Sequence, residues 1–357
     1  MLPLYWTSRL RSRNILVELE PSIRNTYRVN QNINSNDFSF SVNLFDLIVK
    51  TGTINTRLPY HPLQKEAFDH KKDIFANVRT EDSDLRLIRI ENDKTKRELS
   101  EDIGVGMAAI IVDELFGIDW STISYVTGIN GRRPDIACYT VDGRKIVFEA
   151  KGSTNKYTRN SLLNYAVLYQ KNVIPANINL AVGTFVTTLD EGEQSNVVVR
   201  DPPINNEKID INSKVILKTL HYSRAFNFIN QYELSKYFYY MKKRIKNGRD
   251  FPEYRDKLAL FKKLTTEYKR IRIQNKNCVG TIRTIDKESD TYIFRGVFED
   301  LLTIRGIFDF VGEMEIKPII KNNYYLKLYP DGICIGLFDS IKTFEKVEIK
   351  EKPQWET

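Results

Sequence analysis

The spacing of apolar and polar residues changes period several times along the chain, and each change marks an element. From 96 to 116 the apolar positions recur at helical intervals, opening on Thr95-Lys96-Arg97-Glu98 and closing before Gly117. Thr95 and Glu98 have the spacing of a capping box, in which Thr95 accepts from the first turn and Glu98 reaches back. Two glycines inside this helix, Gly104 and Gly106, each cost up to about 1 kcal/mol relative to alanine, which implies close backbone packing or ligand approach. The face through Glu101, Gly104, Val105, Ala108 and Val112 is mostly small and suits tight contact with a sheet. A strand near 121–126 follows, then a hairpin over 133–151. An amphipathic helix over 158–171 carries Leu162, Leu163, Tyr165, Ala166 and Tyr169 and is stopped by Pro175. A central strand over 177–188 and a further strand at Val197-Val198-Val199 complete the order helix, three strands, helix, strand.

The flanks carry weaker patterns. Residues 1–94 contain an alternating strand at 38–44 and a Pro59/Pro62 break, with no recognisable chemistry and no evident role. From about 213 to 272 the pattern is helical with a Gly248/Pro252 interruption. From 279 to about 350 it turns to β, with strands at Tyr292-Ile293-Phe294, Tyr324 to Leu328 and Ile333-Cys334-Ile335. The expected organisation is α/β in four segments: 1–94, a core at 95–200, a basic helical region at 201–276 and a β-rich region at 277–357.

The hairpin holds the candidate chemistry, Asp135, Glu149 and Lys151. Opposite residues on paired strands share a face, as do residues two apart on one strand. If Asp142-Gly143 were a two-residue turn, Asp135 would oppose Ala150 and share no face with Glu149. A three-residue loop, with Val141 and Asp142 in a type I turn and Gly143 as a left-handed bulge, pairs Thr140 with Arg144 and Asp135 with Glu149. That register gathers the three polar groups on one face. It puts Ile136, Cys138, Ile146, Phe148 and Ala150 together on the other, so chemistry and burial select the same pairing.

Composition narrows the class. With 357 residues, 41% hydrophobic and 28% charged, the chain reads as a soluble globular protein with more than one folded unit. No apolar run approaches the roughly 18 to 20 residues of a membrane span, and the apolar start at Met1 to Trp6 is too short for a signal peptide. Cys138, Cys278 and Cys334 are odd in number and widely spaced, as expected for reduced residues of a cytoplasmic protein, and neither they nor His61, His70 and His221 form a metal-binding spacing. The net charge is +8, and the stretch 236–276 alone holds 14 Lys and Arg against 4 Asp and Glu. Positive charge is thus concentrated where Lys242, Lys243, Arg244 and Lys246 could track a phosphate backbone, with Tyr237, Tyr239 and Tyr240 available for stacking. A solvated helix face whose aromatics form a core is the competing reading. Arg132, Arg133 and Lys156 flank the hairpin site and are nearer candidates for phosphate contact.

The element order of 95–200, with Pro134-Asp135 on the second strand and Glu149-Ala150-Lys151 on the third, resembles the core of the PD-(D/E)xK nuclease superfamily, the restriction-endonuclease-like fold. The resemblance implies that Asp135 and Glu149 hold one or two Mg²⁺ ions, with Mn²⁺ as a substitute, and that the Ala150 carbonyl is a further ligand. It implies that Lys151 orients or deprotonates the attacking water and offsets charge on the phosphate. Members often add an acid from the first helix; here that is Glu101, since Glu98 is assigned to the capping box. The implied activity is a metal-dependent DNA endonuclease in bacterial restriction or antiviral, anti-phage defence. Double-strand cleavage commonly uses two sites, which leaves a homodimer or a subunit of a larger defence complex open. No G-x-x-x-x-G-K-[ST] loop is present, so an ATP-driven step would need a partner. The alternatives are a non-catalytic scaffold that retains the fold and a nucleic-acid-binding regulator acting through the basic segment.

Overall fold

A computed structural model describes residues 2–56, 67–79, 82–88, 90, 92–126, 135–169, 176–188, 193–201, 211–247, 268–286, 290–302, 310 and 317–349. It divides into two compact units, Ser8–Lys242 and Met1–Thr7 with Lys243–Thr357. A short helix, α1 (Leu4–Arg9), crosses the first boundary.

The larger unit is mixed α/β. Its elements are β1 (Ser12–Leu19), α2 (Pro21–Thr26), β2 (Asp37–Asn43), α3 (Leu44–Asn55), α4 (Ala67–Phe75), α5 (Asp93–Phe116), β3 (Ser124–Tyr125), β4 (Ile136–Tyr139), β5 (Lys145–Ser153), α6 (Lys156–Tyr169), β6 (Ile178–Phe185), β7 (Asn196–Arg200), α7 (Ile211–Phe228) and most of α8 (Tyr232–Lys246). Seven strands form one sheet in the order β2-β1-β7-β6-β5-β4-β3. β3, β4 and β5 are an antiparallel meander, β5 and β6 are parallel, β6 and β7 antiparallel, β7 and β1 parallel, and β1 and β2 antiparallel. β6, Ile-Asn-Leu-Ala-Val-Gly-Thr-Phe, is buried along its whole length, as its central place in the sheet requires.

Within residues 1–94, β1 and β2 elaborate the core, extending the same sheet that carries the hairpin. The order helix, three strands, helix, strand matches the expectation, with differences at the ends. Helix α5 begins at Asp93 because Asn92 is the N-cap, its side chain accepting from the N–H groups of Lys94 and Thr95. The capping box on Thr95 is thereby corrected, and Glu98 instead meets His70 Nε2 at 3.0 Å. The expected strand over 121–126 shrinks to two residues, because a 3₁₀ turn, Trp120–Thr122, precedes it and is held by Asp119.

Glycine sets how closely α5 approaches the sheet. A Cβ on Gly104 would lie 2.6 Å from the Gly152 nitrogen, and one on Gly152 would lie 1.7 Å from the Ser100 carbonyl oxygen. α5 thus packs backbone to backbone on β5 at Gly104, whereas a Cβ on Gly106 would instead meet the Thr51 and Leu47 side chains of α3. On the other face a Cβ on Gly183, opposite Lys151 on β6, would meet Arg159 and Leu163 of α6 at 3.2 and 3.4 Å. Farther from the β5 end, Ala137, Tyr139 and Val147 cluster with Leu217 of α7, so the face that bears the polar triad becomes apolar away from it.

The smaller unit holds a curled antiparallel sheet, β11-β12-β13-β10-β9-β8, made of β8 (Lys269–Ile273), β9 (Lys276–Asp286), β10 (Thr291–Phe298), β11 (Ile319–Ile320), β12 (Tyr324–Leu328) and β13 (Ile333–Phe338), with a terminal helix α9 (Ile341–Glu345). The helical pattern expected up to residue 272 ends earlier: 269–273 form β8, whose apolar Ile271 and Ile273 alternate with Arg270 and Arg272. Arg270 Nη2 donates to both carboxylate oxygens of the buried Glu299, at 3.0 and 2.7 Å. All three cysteines are free and buried. Among the described residues no helix is long and apolar enough to cross a membrane.

Candidate metal centre and cleft

The β4–β5 hairpin has the three-residue loop. Thr140 N–H donates to the Arg144 carbonyl at 2.8 Å, Gly143 N–H donates to the Thr140 carbonyl at 3.0 Å, and Gly143 has φ +90°. The ladder runs Ile136↔Phe148, Ala137↔Val147, Cys138↔Ile146, Tyr139↔Lys145. Asp135, just before β4, therefore faces Glu149. Its carbonyl accepts from Val126 N–H at 3.0 Å, which fixes it from the β3 side.

The three polar groups meet. Asp135 N–H donates to Glu149 Oε2 at 3.0 Å, Lys151 Nζ lies 3.3 Å from Asp135 Oδ2, and Lys151 Nζ pairs closely with Glu149 Oε1. Glu149 is buried and the other two are half-buried. Burial, and next the charge of Asp135, push the Glu149 carboxyl up to about 7, although Lys151 acts the other way. Burial works to lower the Lys151 ammonium, but Asp135 and Glu149 outweigh it and hold it above the ordinary lysine value. In this state Lys151 carries its proton.

Asp135 and Lys151 line a cleft of about 740 Å³ at the end of β5, between the first turns of α5 and the start of α6. Lys96, Arg97, Ser100 and Glu101 line it from α5; Ala150 to Thr154 from β5 and its exit; Thr158 and Leu162 from α6. α6 starts at the cleft because Asn155 caps it, accepting from Thr158 N–H at 3.0 Å. Glu101 shares the cleft but does not join the triad: it accepts from Arg97 Nε at 2.8 Å on the exposed side of α5. Among the described residues no group of three or more His, Cys, Asp and Glu side chains converges. A cation here would rest on Asp135, Glu149, the Ala150 carbonyl and water.

Other candidates separate. Lys156 is exposed and pairs with Glu193 at 3.4 Å. Lys242 is buried, 5.8 Å over the Tyr239 ring, which corrects its place among the phosphate contacts; Lys243 and Arg244 are exposed. Arg132, Arg133 and the Lys246 side chain lie outside the described residues. His221 is a buried structural residue, its Nδ1 2.9 Å from the Ile123 carbonyl oxygen.

Sequence reasoning missed Tyr125, which lines the cleft beside Asp135. Burial, then the charges of Asp135 and Asp102, push its hydroxyl up. Its pairing with Ile136 was the signal available, since that register puts it next to Asp135. Beneath it lies Arg224, nearly fully buried, 5.6 Å from the Tyr125 ring and donating to Ser124 Oγ at 2.6 Å. Burial lowers the Arg224 guanidinium to about 10. Nothing in the local sequence marks it.

No protein-family model, curated protein or solved structure matches this chain.

Proposed function

We propose that this chain is a metal-dependent endonuclease that hydrolyses phosphodiester bonds of DNA, built on a restriction-endonuclease-like core. The observation that carries the reading is the convergence of Asp135, Glu149 and Lys151 on one face at the mouth of an open cleft. The element order around them, helix α5, meander β3–β5, helix α6, strand β6, supports it.

The residues fit a hard divalent cation. Burial, and after it the neighbouring Asp135 carboxylate, hold Glu149 near 7, a cost that a cation on the oxygens relieves. Asp135, Glu149 and the Ala150 carbonyl would hold Mg²⁺ or Mn²⁺. Bound there, the ion would polarise the phosphate and lower the pKa of a water. Lys151 bears its proton in the ion-free site and so acts first as a donor, to a phosphate oxygen or to the attacking water. Lys96 and Arg97, on the cleft wall, offer cations to the flanking phosphates. Glu101 lies within the same cleft as a further acid. A cytoplasmic role in restriction or anti-phage defence follows from the resemblance.

One observation favours a second reading, a non-catalytic nucleic-acid-binding or scaffold protein: Lys151 pairs with both carboxylates, as a purely structural ion-pair cluster would. Incubation of the purified chain with plasmid DNA in Mg²⁺, Mn²⁺ or EDTA, beside Asp135→Ala and Lys151→Ala, separates the two. Metal-dependent cutting lost in both variants is the expected result. Salt-sensitive binding without cutting, unchanged in the variants, favours the second reading.

A further inference from the structure

The outer face of helix α6 carries three exposed large apolar side chains among polar Thr158 and Ser161. Tyr157 is 86% exposed, Tyr165 43% and Leu162 37%, and Leu162 is itself part of the cleft wall. At 100° per residue these three fall within one arc of about 140°, while the buried Arg159, Leu163 and Ala166 take the opposite side. The inner side is satisfied: Leu163 and Ala166 pack on Ala181. Single exposed aromatics are ordinary on a surface, but two tyrosines with Leu162 between them on one side of a helix that borders the cleft are not accounted for by the core. Tyr157 and Tyr165 are about 12 Å apart along the helix axis, the length of three to four stacked nucleotides at roughly 3.4 Å each.

We infer that the outer face of α6 is a stacking platform for an unpaired stretch of DNA leading into the cleft, with Tyr157 and Tyr165 each receiving a base and Leu162 guiding the strand to the triad. The inference rests on the nuclease reading and narrows its substrate to DNA with single-stranded character beside the scissile bond. The chemistry is complementary. Stacked bases cover tyrosine rings without regard to sequence, and Lys96 across the cleft, with Arg97 and Lys156 in exposed pairs with Glu101 and Glu193, can meet the phosphates between them. A duplex keeps its bases inside and offers these rings nothing.

The test measures fluorescence anisotropy of a labelled oligothymidylate and of a hairpin duplex of equal length, in EDTA so that no cutting occurs, with wild type, Tyr157→Ala/Tyr165→Ala and Tyr157→Phe/Tyr165→Phe. Wild type should bind the single strand at least about tenfold more tightly than the duplex. The alanine variant should lose about tenfold or more per tyrosine on the single strand only, and the phenylalanine variant should retain it. Thermal melting of each variant establishes that it is folded. Equal affinity of wild type and the alanine variant overturns the inference, as does equal loss on both substrates. A dimer of this chain that the alanine variant dissolves, with DNA affinity unchanged, assigns the face to protein contact instead. Tighter binding of oligouridylate than of oligothymidylate overturns the choice of DNA. Because binding is read without metal, cutting that persists while stacking fails leaves the nuclease reading intact, and stacking without cutting in Mg²⁺ does the reverse.

Discussion

The backbone N–H of Asp135 donates to Oε2 of Glu149 at 3.0 Å, so the residue that offers one carboxylate also aims the other. Removing the Asp135 side chain leaves that main-chain bond in place. Asp135→Ala should therefore abolish cutting, by at least about a hundredfold, while melting within a few degrees of wild type. Gel assays of plasmid cleavage and a thermal melt decide this; a variant that cuts normally removes Asp135 from the chemistry.

Lys151→Ala should behave differently. It leaves Glu149 buried and Asp135 half-buried without their cation, which destabilises the ion-free protein by roughly 1–3 kcal/mol at neutral pH. Added Mg²⁺ should restore part of the melting temperature without restoring activity. Denaturant titrations with and without the ion test the point, and an unchanged midpoint in EDTA contradicts it.

Glu149 makes the site pH-sensitive. Its carboxyl rises from an ordinary 4.5 to about 7 in the fold, so between these values the folded chain holds a proton that the unfolded chain releases. The resulting stabilisation of the ion-free protein is fully present below about 4.5 and is lost as pH climbs through about 7. A divalent ion competes with that proton, so Mn²⁺ affinity should increase across the same window and level off above it. Calorimetric titrations from acidic to mildly alkaline buffer should show this slope in wild type and a much weaker one in Glu149→Gln.

Gly152→Ala should disturb both fold and chemistry. The added methyl would collide with the Ser100 carbonyl, a backbone atom that cannot rotate away, so α5 must move off β5. A cost of about 3 kcal/mol is expected, with loss of cutting because Glu101 and Arg97 ride on α5. Wild-type stability in this variant would show that helix and strand do not touch there.

Glu101→Gln isolates the helix acid. Its partner Arg97 is fully solvated and such pairs contribute little, so melting should be unchanged. A drop in metal affinity of about tenfold on DNA-bound protein would place Glu101 at the ion; no drop would return it to the surface.

The hairpin was legible because two independent constraints agreed: only one register puts Asp135, Glu149 and Lys151 on one face, and the same register buries Ile136, Cys138, Ile146 and Phe148 together. The helix cap was misread because Asn92 and Thr95 are both good capping residues three positions apart, and propensity alone does not rank them. Lys242 looked like part of a basic patch, yet it lies four residues after the buried Phe238, on the inner side of α8. The membership of β1 and β2 in the main sheet was hidden for a different reason. Their link to it is the pairing of Leu16 with Asn196, and no local pattern reports a neighbour so distant in sequence.

That pairing governs how the chain can assemble. β1 is synthesised early, but its parallel neighbour β7 emerges only after the meander, α6 and β6, so a nascent chain must carry an open strand edge through most of the unit's translation. A fragment trimmed to the apparent catalytic segment would inherit the same exposure permanently, with Val197 and Val199 at an unguarded margin prone to self-association.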